Sequence, residues 1–329
     1  MNAAVKRLDV ICIGRVAVDL YAQQIGSRLE DVASFAKYLG GSSGNVAFGT
    51  AIQGLKSAML ARVGDEHNGR FLRETLNRAG VDTEYLITDK SRLTALVMLG
   101  IKDQETFPLI FYRDNCADMA LTPDDISEEY IASSRALAVT GTHLSHANTR
   151  AAVLKALEYA RRHGLRTALD IDYRPVLWGL TSLGDGETRF IESGPVTSQL
   201  QEVLHLFDLV VGTEEEFHIA GGSTDTLTAL KNVRNATKSH SRLQARADGL
   251  RGAGRRHPGQ LGPGAATAGR ARGGSQRAGR RGCLYVGSAA RLAQRRRLGA
   301  GLPLRQRLRG AGGLPPRLRA GDADQSRTR

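Results

Sequence analysis

Beyond Lys238 the chain has no lysine, isoleucine or phenylalanine, and a single valine in its last 91 residues. The same stretch carries 21 arginines against three aspartates. That is +18, so residues 1–238 stand at −5 within a total of +13. All eight phenylalanines and the lone Trp178 also precede position 239. A segment so poor in large apolar side chains, with 18 glycines, cannot bury enough surface to offset its ordering entropy. It is expected to be disordered, or to form scrappy helices around LRQRLRG (residues 304–310). The positive charge, ordinarily a pointer to nucleic acid or a membrane, therefore belongs to the tail.

Cysteine is scarce. Cys12, Cys116 and Cys283 stand at unrelated spacings and make neither a disulfide framework nor a metal-ligand set, which suits a reducing cytoplasm. The opening MNAAVKRLDVICIGR has an apolar run cut off at Arg15, too brief for a signal peptide or membrane span. A soluble cytoplasmic protein is expected, with no membrane partner. A Ser/His/Asp set is missing too, and His143 and His163 read as ordinary polar residues.

What is present is an alternation. LDVICIG, SAMLARVG, ALAVTGTH, RTALDID and FDLVVGT are apolar, β-branched runs of strand length. Between them lie helical patterns: NVAFGTAIQGL, GRFLRETLNRAG (closed by Gly80 as a C-cap), NTRAAVLKALEYARRHG and TSQLQEVLHL. TALVMLGI and PLIFYR flank the turn KDQE and predict a hairpin. Strands alternating with helices argue for a parallel sheet covered on both faces. Such sheets bind ligands beyond the carboxyl ends of their strands. The polar clusters fall there: Gly14–Asp19, Gly141–His143, Asp170–Arg174 and Gly212–Glu216.

Each cluster has two readings. YLGGSSGNVA places Gly40, Gly41 and Asn45 at a helix mouth, where glycine admits a ligand and the N-terminus favours anions or hydroxyl oxygens. No Gly-Lys-Ser/Thr follows, so it is no Walker A loop, and it equally suits a structural turn and cap. Asp19 could accept hydrogen bonds from sugar hydroxyls or be a solvated loop acid. Asp170 and Asp172 beside Arg174 read more readily as an ion pair. Arg113 could hold an anion bidentately or be a hairpin surface charge. The acids of GTEEEF could organise Mg²⁺ or complement a helix dipole.

Taken in order, Asp19 after the first strand, LGGSSGNVA, LKSAMLARVGDEHNGRFLRETLNRAGVDT, the hairpin, DIDYRPVLW and VVGTEEEF resemble the ribokinase/PfkB family of sugar kinases. The resemblance covers residues 8–238. FYRDNCADMAL, VTGTHLS, DIDYRPVLWGL and GTEEEFHIAGG are most similar to a branch that phosphorylates an acidic sugar of myo-inositol catabolism. The resemblance implies a three-layer α/β/α core, a small β-sheet lid built from about residues 15–40 and 92–113, ATP with Mg²⁺, and a homodimer through the lid. Asp19, Gly40, Gly41 and Asn45 would contact hydroxyls, Arg113 and Arg174 would lie near the acid end, and Glu216 would help organise Mg²⁺. The family commonly has Asn three residues before that glutamate, where Thr213 stands, and many relatives have Asn at the place of Asp172.

Family members also carry a late Gly-Ala-Gly-Asp stretch, whose backbone N–H groups hold the migrating charge and whose Asp is the base. The literal chain has none after residue 238, nor the later elements that would complete the core. Yet RAGRRGCLYVGS (residues 277–288), back-translated and read one nucleotide later, can encode Val-Leu-Gly-Ala-Gly-Asp-Ala-Phe-Met-Ser-Gly. The Asp codon straddles those of Gly282 and Cys283. In the same frame the run from Ser241 can encode Thr-Leu-Val-Cys-Lys-Leu-Gly-Pro. Several matches in one frame and in family order are what a slip near Lys238–Ser239 would produce. Two other readings stand beside a kinase: a sugar-binding protein without catalysis, and a kinase-like domain with an Arg-rich tail that contacts nucleic acid through its phosphates.

Overall fold

The computed structural model describes residues 6–103 and 106–237, and the backbone of a strand at 242–246. The chain opens with β1 (Val10–Ile13), β2 (Ala17–Ala22), β3 (Phe35–Gly40), α1 (Ser42–Ile52) and β4 (Ser57–Gly64). There follow α2 (His67–Arg78), β5 (Leu86–Asp89), the hairpin of β6 (Leu96–Leu99) and β7 (Leu109–Tyr112), and α3 (Glu128–Ala132). Next come β8 (Ala136–Thr140), α4 (Ala147–Arg162), β9 (Arg166–Asp170) and α5 (Gly194–Leu204). The last are β10 (Leu209–Thr213), α6 (Glu214–Gly221), α7 (Thr226–Thr237) and β11 (Arg242–Arg246).

Seven strands form a parallel sheet in the order β11-β10-β9-β8-β1-β4-β5. Its two faces bury alternate residues, as the period of a strand requires. Ile11, Ile13 and Leu60 pack against Val153 and Leu157 of α4 and Leu200 and Val203 of α5. Val10, Cys12, Met59 and Ala61 face the other way, onto Ala47 of α1 and Leu72 and Leu76 of α2. This is the expected three-layer arrangement. The chain builds outward from β1 through β4 to β5 on one side, then returns to β8 and builds outward on the other. The reversal lies between β1 and β8, where a doubly wound sheet opens its crevice.

A second sheet, in the order β3-β2-β6-β7, stands over this end. Three residues, Gly14, Arg15 and Val16, join β1 to its strand β2. Its inner face packs Val97, Leu99, Leu109 and Phe111 on Val176 and Leu177, which follow β9. The β6–β7 pair is the expected antiparallel hairpin. Asp19 lies on β2, opposite Tyr38, and is 4% exposed; it is not a solvated loop acid.

Helix α2 begins at His67, two residues before the expected Gly69. The Glu66 carboxylate accepts hydrogen bonds from the N–H groups of Asn68 (2.6 Å) and Gly69 (3.2 Å) and so caps it. The same carboxylate accepts from Thr94 N–H at 3.2 Å, tying the cap to the start of the hairpin.

The sheet also continues past the boundary expected at Lys238. Backbone at Arg242–Arg246 pairs in parallel with all five residues of β10, from Leu209 to Thr213. The rest of the arginine-rich segment, including LRQRLRG and the Gly282–Cys283 position, lies outside the described residues. Among the described residues no helix is long and apolar enough to cross a membrane.

Candidate active site

The floor of the site is made by strand ends and the first turn of α1. The Ser43 hydroxyl donates to the Ile13 carbonyl at 2.9 Å and shares a 3.0 Å hydrogen bond with Thr140 Oγ1, stitching α1 to both strands of the reversal point. Gly41, the residue before α1, has φ +83°, and a Cβ there would lie 2.6 Å from the Arg15 carbonyl. Glycine is needed to bring this turn onto the β1–β2 connection. Asn45, four residues on, is 8% exposed. The turn is thus structural, and it also sets Gly40 against Asp19. A Cβ on Gly40 would fall within 2.4 Å of three atoms of the Asp19 carboxylate. Burial pushes that carboxyl up to about 6, while nearby Arg15 acts in the opposite direction.

Arg113, at the end of β7, is buried rather than a surface charge of the hairpin. Its Nε donates to Asp118 Oδ2 at 2.7 Å, with the two side chains 4% and 1% exposed. Arg113 Nη2 and Asp118 Oδ1 have no hydrogen-bond partner. His143, beyond β8, is fully buried, and neither ring nitrogen makes a well-formed hydrogen bond. Burial, then Arg113, lowers its pKa to about 3, against the smaller opposing pull of Asp118, so the ring is neutral. Arg15 completes the group. Burial lowers its pKa, and Asp172, Arg113, Asp19 and Asp118 all act on it electrostatically. One cluster therefore draws on the ends of β1, β7 and β8 and the loop after β9.

The model of the pfkB family of carbohydrate kinases matches residues 7–246, most of the described chain. The chain belongs to this family. A 5-dehydro-2-deoxygluconokinase of Geobacillus thermodenitrificans (strain NG80-2) is 40% identical over 214 residues, which are 64% of this chain and 60% of the relative. The chain thus spans about 60% of that relative's length. The crystal structure of a PfkB protein from Polaromonas sp. JS666 superposes with a TM-score of 0.64 at 25% identity, covering 74% of this chain and 78% of that one. A fructokinase from Xylella fastidiosa, solved with bound ATP, gives 0.61 at 20% identity and 73% coverage of each chain, a likeness of fold.

Within this pfkB-family chain, the residues after β9 and β10 form a second charged group. Asp172 adopts φ +40°, an unusual conformation for a residue with a Cβ, and its Oδ2 has no partner. Arg174, read from the sequence beside the neighbouring aspartates, pairs here with Glu216. Its Nη1 donates to Glu216 Oε1 at 3.3 Å and to the Tyr173 carbonyl at 2.7 Å. Glu216 Oε2 accepts from Thr213 N–H at 2.7 Å, while Thr213 Oγ1 accepts from Glu216 N–H at 3.4 Å. This capping box opens α6, with Thr213 as its N-cap. Burial raises the Glu216 carboxyl and Asp172 adds to the effect, whereas Arg174 and Thr213 hold it down.

That arrangement bears on Mg²⁺. Both Glu216 oxygens already have protein partners, and among the described residues no three His, Cys, Asp or Glu side chains gather as a metal site. Each oxygen accepts one hydrogen bond and keeps a second lone pair, so the carboxylate can still accept from a metal-bound water. Magnesium ordinarily keeps several waters and binds through one or two carboxylates and nucleotide phosphates. Contact with Glu216 through a retained water fits these residues; an all-protein cage does not.

Asp19, Gly40 and Arg113 are thus brought to one crevice, while Arg174 and Glu216 form a neighbouring pair linked to it through Asp172. Arg15, Asp118 and His143 were not singled out by their residue types. Each nevertheless sits in a stretch with a visible signal: directly after the glycine that ends β1, in FYRDNCADMAL, and in VTGTHLS.

Proposed function

We propose that this chain carries the sugar-recognising part of an ATP-dependent kinase whose acceptor is 5-dehydro-2-deoxygluconate. The observation that carries the reading is the buried cluster of Asp19, Arg15, Arg113 and Asp172 beneath the lid. It offers carboxylates to hydroxyl donors and guanidinium groups to an acid. The name of the Geobacillus relative supplies the particular sugar acid. Asp19, Asn45 and the backbone at Gly40–Gly41 take the hydroxyls, and Arg113 faces the acid end. Arg174 holds Glu216, which would bind a water of Mg²⁺ when the nucleotide brings the metal in.

When bound, ATP supplies the phosphoryl group. A sugar hydroxyl oxygen forms a bond to the γ-phosphorus as the bond to the β–γ bridging oxygen breaks; ADP leaves and the hydroxyl proton passes to a base. Family members draw that base from Gly-Ala-Gly-Asp, which the literal sequence does not contain after Lys238. We therefore propose that the chain as written holds its sugar without turning over ATP.

Two measurements on the full chain test this reading. Titration calorimetry should show binding of 5-dehydro-2-deoxygluconate, and a coupled ADP-release assay should show no turnover above background. Absence of sugar binding at millimolar concentration would sink the substrate assignment. Robust ADP release would show instead that a base is present in the chain as written.

A further inference from the structure

Four buried side-chain atoms without a hydrogen-bond partner belong to the crevice, namely Arg15 Nε, Arg113 Nη2, Asp118 Oδ1 and Asp172 Oδ2, and the ring nitrogens of His143 make no well-formed bond. Buried polar groups are ordinarily satisfied, and a buried charge without a close partner is especially costly. The three arginines near the strand ends differ in this respect. Arg113 has its Nε on Asp118, and Arg174 has an Nη on Glu216. Arg15 is 7% exposed and makes no salt bridge or hydrogen bond through its guanidinium to any described residue.

Its position is nevertheless supported from the lid. The Arg15 Cζ lies 5.6 Å from the centroid of the Phe111 ring on the lid strand β7. Its own backbone is held too, since the Arg15 carbonyl accepts from Gly44 N–H at 3.1 Å. Such a guanidinium is built to receive a planar anion, because its parallel N–H groups match the two oxygens of a carboxylate. Asp19 and Asp172 act on it only through space. Their oxygens are acceptors suited to the hydroxyls of the same ligand.

We propose that Arg15, with the free Nη2 of Arg113 beside it, recognises the carboxylate of the sugar acid and sets the preference for an acid over a neutral sugar. Arg174 is a positioning residue for Glu216 and does not contribute to that preference. The assignment rests on the sugar-acid reading above and extends it to a residue that the sequence motifs did not single out.

The test compares 5-dehydro-2-deoxygluconate with its neutral carboxamide, by calorimetry on the full chain. Wild type should prefer the acid by roughly 30-fold, the range expected for a charge-assisted hydrogen-bonded pair. Arg15→Met should abolish that preference while leaving carboxamide affinity within about threefold, and Arg15→Lys should restore part of it. Arg174→Met should keep the preference intact. Acid preference that survives in Arg15→Met overturns the assignment while leaving the sugar-acid reading standing. Equal binding of acid and carboxamide by wild type overturns it without recourse to any variant. Wild type that binds neither compound overturns the functional reading, and this assignment with it.

Discussion

The Cα of Gly40 lies so close to the Asp19 carboxylate that a methyl group on it would sit 2.0 Å from Oδ1. One residue is thus small because the other carries an acid on the facing strand of the lid. Gly40→Ala should push the Asp19 side chain out of its place, weakening sugar binding at least tenfold and lowering stability by about 1–3 kcal/mol. Calorimetry and urea unfolding read the two effects separately. Unchanged affinity in a folded Gly40→Ala protein would remove Asp19 from the sugar site.

Asp19 also gives a pH signature. Its carboxyl is held at about 6, above the ordinary value of 3.8. The folded chain therefore binds this proton more tightly than the unfolded chain, so the ionised group costs stability at neutral pH, on the order of 3 kcal/mol. The cost is present above pH 6 and is relieved as the pH falls through 6 towards 4. Asp19→Asn should raise the Tm at neutral pH and lose most of that gain near the lower limit. Sugar affinity should run the other way in wild type, falling below pH 6 as the carboxylate loses its charge. A Tm lowered by Asp19→Asn at neutral pH contradicts the burial argument.

The reciprocal cap at α6 separates a structural role from a metal role. Thr213→Ala removes the acceptor of Glu216 N–H and should cost about 1 kcal/mol. Glu216→Ala loses the other half of the cap and also strips Arg174 of its 3.3 Å partner, for an expected total of about 2–3 kcal/mol. Urea midpoints measure both. If Glu216→Ala were no less stable than Thr213→Ala, the link to Arg174 would carry no energy.

Much of the architecture is legible in the amino-acid order because its signals are local. SAMLARVG is bounded as a strand at the same residues the structure shows, since its apolar run stops at a lysine and an aspartate. The site is less legible because it is assembled across the sheet. Nothing near Arg113 in sequence announces Arg15; only the parallel order of β1 and β8 and the fold of the hairpin bring Arg113, Arg15 and His143 together. Asp19 was open to a loop reading because its pairing partners are Tyr38 on β3 and Val97 on β6, 19 and 78 residues away. Strand β11 was hidden for a similar reason: RLQAR is a poor strand by composition, and its place comes from backbone pairing with β10.

Restoring the reading frame is the broadest test. The protein from a gene with one nucleotide deleted after codon 238, so that Gly-Ala-Gly-Asp is expressed, should release ADP with 5-dehydro-2-deoxygluconate. Its rate should exceed that of the present chain by at least about 10²–10⁴, the usual effect of a positioned acid or base. Equal rates in the two proteins would mean that the slip explains nothing about catalysis.

One of the links between the two sheets, from β1 to β2, is three residues long, and Arg15 is the middle one. Its carbonyl accepts from Gly44 N–H in the first turn of α1, while its guanidinium lies over the Phe111 ring of the lid. Backbone and side chain of one residue therefore tie different layers together. A substitution at Arg15 touches the side-chain tie to the lid and leaves the backbone tie to α1 in place.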